Sequence, residues 1–161
     1  MPDEGHATFL DHAAYWLTLA GVYLLAGFLF LDSGKAKLFD EHGHAPASIK
    51  QQFQGSFVST FPGVDALWVI VGVLEFGIAL IMVVSLIRLE FLPSRTKPWL
   101  LSSLALALFT FACLSFGETT TGQFAGTASL YSYFGSTAII LMLVLVLPAR
   151  GRRDWISRRL S

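Results

Sequence analysis

Apolar and polar positions alternate along this chain in long blocks. Residues 13–31, 98–117 and 119–149 carry no charged side chain, and residues 66–87 carry only Glu75. Each block supplies the roughly 20 residues that an α-helix needs to cross a bilayer. The pattern predicts four helices, at about 13–34, 65–88, 98–117 and 129–148. Pro98 falls in the first turn of the third helix, where its missing N–H costs nothing, and Pro148 closes the fourth. Asp65 stands where an N-cap of the second is expected.

The stretch between the first two helices, residues 33–64, is too long for a turn. Ala45-Pro46-Ala47-Ser48 reads as a helix start, and Ile49, Phe53 and Phe57 then recur at i, i+4 and i+8 with Lys50, Gln51, Gln52 and Gln54 between them. This predicts a short amphipathic helix on the membrane surface or capping the bundle. The alternative is a loop folded over the helix ends with its aromatics in the core. The expected fold is therefore an all-α membrane protein: one domain over residues 1–161, a four-transmembrane-helix bundle with a short amphipathic helix in the first outer loop.

Composition supports the membrane assignment, since 54% of the 161 residues are hydrophobic and the mean hydropathy is +0.62. Lys and Arg are unevenly placed. Arg88, Arg95 and Lys97 in the second loop join Arg150, Arg152, Arg153, Arg158 and Arg159 of the tail, against Lys35, Lys37 and Lys50 in the first loop. That excess predicts both termini in the cytoplasm and the first and third loops outside, as in a protein of a bacterial inner membrane. No Lys or Arg precedes Lys35, so the N-terminus lacks the basic region of a signal peptide and the first apolar run is expected to remain as an anchor. Residues 150–161 form a basic cytoplasmic tail suited to anionic headgroups or a cytoplasmic partner. A net charge of zero and no basic groove exclude nucleic acid as a partner.

Glu75 is the position where chemistry is most expected. An ionised carboxylate about ten residues inside an apolar helix costs several kcal/mol unless it is paired, hydrogen-bonded or protonated. One expectation is a protonated acid bonded to Ser102, Ser103, Thr110 or Ser115; the other is a polar ligand site. Lys35 lies at the end of the first helix beside Asp32, and Glu118 at the end of the third. Glu75, Lys35, Glu118 and Asp32 are thus the candidate binding residues. Glu75 should lie on the order of 15 Å below the end of its helix, so direct contact with Lys35 requires a kink, a thinned bilayer or a water-filled vestibule. Lys35 with Glu118 or Asp32 is the easier pairing.

Other chemistries lack their residues. His6, His12, His42 and His44 all lie outside the apolar runs, so no intramembrane imidazole pair holds a haem. Cys113 is alone, which excludes an intrachain disulfide and a thiolate zinc site. Glu41-His42-Gly43-His44 lacks a framework for a metal, and no phosphate-binding, GxSxG or HExxH motif is present. No catalytic residue, metal or intrinsic cofactor is expected. A redox role would need a diffusible quinone or another subunit.

Gly27-Phe28-Leu29-Phe30 running to Gly34-Lys35, Gly72-Val73-Leu74-Glu75-Phe76-Gly77, and Leu114-Ser115-Phe116 resemble the DoxX-like superfamily of small four-helix membrane proteins, including the reactive-chlorine-resistance branch. The layout covers nearly the whole chain, and the superfamily's Lys and Glu positions fall on Lys35 and Glu75. Lys37 and the long first loop depart from it. The resemblance implies a membrane component associated with redox systems, without its own catalysis, holding a quinone, a lipid or a small anion in an outer-half cavity near Glu75. The alternative is a structural or assembly subunit of a larger respiratory or transport complex. A transport pathway ranks below both, since one intramembrane acid and no inverted repeat of broken helices are visible.

Overall fold

The computed structural model describes residues 4–93 and 95–146. Among these every regular element is helical: α1 (Glu4–Lys35), which widens into a π-helical turn over Ala36–Asp40, then α2 (Ala47–Gln52), α3 (Phe57–Thr60), α4 (Val64–Ile87), α5 (Pro98–Thr120) and α6 (Phe124–Val146). Four segments, Ala13–Asp40 and the helices α4, α5 and α6, are long and apolar enough to cross a membrane. The chain is an integral membrane four-helix bundle. The basic tail at 150–161 and the proposed stop at Pro148 lie outside the described residues.

Helix boundaries differ from the expected ones for local reasons. α1 begins at Glu4, nine residues earlier than its charge-free run, since helix propensity does not depend on a residue's being apolar. α5 runs on to Thr120 and α6 begins at Phe124, so the third loop shrinks from the expected residues 118–128 to Thr121–Gln123. The amphipathic helix in the first loop is present but shorter than the Ile49–Phe57 periodicity implies. Gly55 adopts φ +83° and separates α2 from α3. Phe53 nevertheless reaches the bundle, where its ring covers Gly117 of α5. Asp65 is not the N-cap of α4, which starts one residue earlier after Gly63. Its carboxylate instead accepts from Ala45 N at 2.8 Å and lies 2.9 Å from Lys50 Nζ, tying the first loop to α4.

The helices pack in sequence order, α1 on α4, α4 on α5, and α5 on α6. Tyr15, Leu19, Val22, Ala26 and Phe30 form the buried stripe of α1 at three- and four-residue spacing. They meet Ile78, Ala79 and Met82 of α4 and Leu100, Leu104, Ala107 and Phe111 of α5. α6 contributes Val144 as its only buried apolar side chain, and Tyr131, Tyr133, Ile139, Met142 and Val146 face outward.

The end of the bundle at the α4–α5 loop is locked by a polar cluster that the sequence did not disclose. Glu90, 3% exposed, accepts from Leu100 N at 2.9 Å, Trp99 N at 3.2 Å and Ser85 Oγ at 2.9 Å. It caps α5 from across the loop, satisfying donors that a helix start leaves free. Ser85 also bonds Tyr23 at 2.6 Å, and Tyr15 Oη donates to Phe91 O at 2.8 Å. Lys97 is buried beside them over the Tyr15 ring. Burial pulls its ammonium below the ordinary lysine value, and the charge of Glu90 acts in the opposite direction. Glu90→Ala strands two backbone N–H groups and a hydroxyl, so it is expected to cost about 1–3 kcal/mol, read as a lower melting temperature in mild detergent. An unchanged melt would show that water replaces the cap.

Candidate functional site

α1 and α4 run antiparallel and touch because two glycines lie in their seam. A Cβ on Gly34 would sit 2.5 Å from Phe76 N and 2.9 Å from its Cα. One on Gly72 would sit 3.0 Å from Lys37 Cβ and 3.1 Å from Leu38 Cγ. Beyond them, a Cβ on Gly43 would meet Val69 at 2.8 Å. These three pairings set a stagger in which α1 and its π-turn end opposite residues 69–72, and the first turns of α4 project past them.

The stagger brings a lysine to Glu75, and it is Lys37. Lys37 Nζ is 2.7 Å from Glu75 Oε2, and the two side chains are only 12% and 7% exposed. The ammonium also donates to Ser33 Oγ at 2.6 Å and lies 4.9 Å from the centroid of the Trp68 ring. Trp68 Nε1 in turn donates to Glu41 Oε2 at 2.6 Å, closing a roof over the pair. Glu75 sits eleven residues into α4, about 16 Å along its axis. The depth is reached neither by a sharp break in α4 nor by a long reach from Lys35. The end of α1 is itself set low beside α4, and the π-turn carries Lys37 toward it.

The other expected site residues lie elsewhere. Lys35 is two residues from Lys37, about 200° around a helix, so it faces away from α4. Its Nζ is 3.7 Å from Asp40 Oδ2, with both side chains more than half exposed. Lys35 is thus not the lysine at Glu75, and the easier pairing expected with Glu118 or Asp32 is not formed either, since its partner is Asp40. Asp32 is exposed and forms no hydrogen bond or ion pair among the described residues. Glu118 accepts from Gln52 Nε2 at 3.0 Å and lies against Gly126, joining the first loop to the α5–α6 turn. Of the four hydroxyls expected beside Glu75, Ser103 and Thr110 bond their own helix, to Leu100 O and Leu106 O, and neither Ser102 nor Ser115 bonds the carboxylate, whose hydrogen-bond partner is Lys37.

A signal for Lys37 was present in the sequence. The spacing Tyr15, Leu19, Val22, Ala26, Phe30, Gly34 continues to Lys37 on the buried stripe and passes over Lys35. Trp68 and Glu41 carried none, because their contact depends on the fold of the first loop. Of the Glu41-His42-Gly43-His44 segment, Glu41 is committed to Trp68, His42 Nδ1 lies 3.2 Å from Asp40 O, and His44 lies 3.8 Å from Asp65. Among the described residues no three His, Cys, Asp or Glu side chains converge as a metal-ligand set. An open depression of about 630 Å³ lies between α2–α3 and the start of α4, lined by Lys50, Gln54, Ser59 and Asp65 and not by Glu75.

The class is a small integral membrane four-helix bundle with a largely buried Lys–Glu ion pair between its first two spans. Compared with protein-family models, curated proteins and solved structures, the chain matches none.

Proposed function

We propose that the protein is a small membrane component without its own catalysis, of the DoxX-like kind, that holds the polar headgroup of a quinone-type or lipid-type ligand at the Lys37–Glu75 pair. The observation that carries this reading is the 2.7 Å ion pair with side chains 12% and 7% exposed. Burying two charges costs more than an apolar pair of similar volume, so stability alone is a poor reason for a lysine and a glutamate there. Ionisable residues inside a membrane commonly mark ligand or ion paths. In this reading the protein lies in a bacterial inner membrane with both termini in the cytoplasm, and the pair belongs to the outer half.

A test follows from replacing the pair together. Lys37→Met/Glu75→Leu keeps the volume and removes both charges, so it is expected to fold. In lipid nanodiscs the wild type is expected to bind a short-chain hydroquinone by equilibrium dialysis, and the double variant is not. Equal binding by the two proteins would overturn the reading.

A second reading, a structural or assembly subunit of a larger complex, draws on α6. Only 6% of its apolar window is buried, against 22–33% in the other spans. Native mass measurement after gentle extraction separates the readings: a lone monomer argues against the subunit.

A further inference from the structure

We propose that the Lys37–Glu75 site selects a neutral hydrogen-bond donor, a hydroxylic headgroup on an apolar tail, in preference to a carbonyl compound or an anion. The proposal presupposes that the pair is a ligand site, and it specifies what that site accepts.

Most of the donors are spent. Of the three N–H groups of Lys37, one goes to Ser33 Oγ and one to Glu75 Oε2, while the Trp68 ring covers the ammonium from another side. The Trp68 indole N–H is held by Glu41. An acceptor remains. Glu75 Oε2 takes the lysine, and Oε1 takes no hydrogen bond among the described residues. Among the described residues every fully enclosed side-chain oxygen and nitrogen has a partner, so Oε1, having none, is not fully enclosed. An incoming headgroup therefore meets a carboxylate oxygen with free lone pairs, whereas two of the three ammonium N–H groups and the indole N–H are already taken and the Trp68 ring shields the ammonium.

Charge points the same way. Lys37 contributes one positive charge and Glu75 and Glu41 one negative charge each, while Lys35 and Asp40 offset one another outside the cluster. A net charge of −1 in a low-dielectric setting repels an anion. Beside the pair, Leu38 packs on Gly72, and the Phe39 and Phe76 rings meet edge-on with centroids 5.6 Å apart, giving an apolar wall for a tail.

Para-hexylphenol, its methyl ether and hexanoate present a donor, an acceptor and an anion on equal tails. Binding is measured by equilibrium dialysis to the full-length protein in nanodiscs of neutral lipid. The phenol is expected to bind about tenfold or more tightly than the ether, the size of a hydrogen bond to a charged acceptor, with no hexanoate bound. Glu75→Gln is expected to close the gap. Its amide oxygen must face Lys37, which turns the amide N–H₂ outward in place of Oε1, so the ether gains a donor and the phenol, which can accept as well as donate, keeps no advantage.

A wild type that binds phenol and ether equally, with both lost in Lys37→Met/Glu75→Leu, overturns the donor proposal while the ligand site stands. A phenol-over-ether ratio left unchanged by Glu75→Gln also overturns it. Binding no stronger than in the double variant for all three probes removes the ligand site and the proposal with it. A short-chain hydroquinone and dioctanoylglycerol then distinguish an aromatic from a lipid hydroxyl: binding of either supports the proposal, and the tighter names the source.

Discussion

Lys37→Met alone is expected to destabilise the bundle by about 3–5 kcal/mol, the cost of leaving one partner of a buried ion pair without its counter-charge. Glu75 would keep a carboxylate in the α1–α4 seam with its hydrogen-bond partner and counter-charge removed. It then either stays charged at that cost or takes up a proton. The double variant Lys37→Met/Glu75→Leu is expected to recover most of the loss, because an apolar pair needs no compensation. The two single changes and the double change form a cycle whose coupling isolates the pair. Lys35→Met serves as the control. Its 3.7 Å contact with Asp40 is solvent-exposed on both sides, and no change in melting temperature is expected. If Lys35→Met destabilised the protein as much as Lys37→Met, the assignment of Lys37 as the partner of Glu75 would fail.

Gly34→Ala is expected to have an effect of comparable kind through the backbone. The new methyl would lie 2.5 Å from Phe76 N, and a backbone nitrogen inside a helix cannot swing aside as a side-chain tip can. α1 and α4 must move apart, at a cost of about 1–3 kcal/mol for the overpacking itself. The same movement lengthens the 2.7 Å Lys37–Glu75 contact one turn away. In the Gly34→Ala background the added cost of Lys37→Met is therefore expected to shrink, a non-additivity measurable by melting the single and double variants. Full additivity would show that the glycine seam does not position the pair. Gly21, where an added Cβ meets nothing within 4 Å, is the matched control on the same helix.

Four apolar blocks, each about the thickness of a bilayer, and their near-total lack of charge were enough to determine the number of spanning helices and the all-helical class. That information is local: hydrocarbon leaves a backbone no option but to satisfy its own hydrogen bonds within a helix. Glu75 stood out for the same reason, as a single charge where charge is costly. Its partner was another matter. Lys35 and Lys37 are equally charged and two residues apart, and only the stagger set by Gly34, Gly72 and Gly43, together with the π-turn after Lys35, decides which faces α4. Glu90 stayed hidden because its place in the second loop looks solvent-facing until α5 begins directly over it and supplies two N–H donors. Hydropathy records how each residue stands toward the bilayer. Which polar groups meet inside it depends on helix register and on loop closure, and these are settled by contacts between residues distant in the chain.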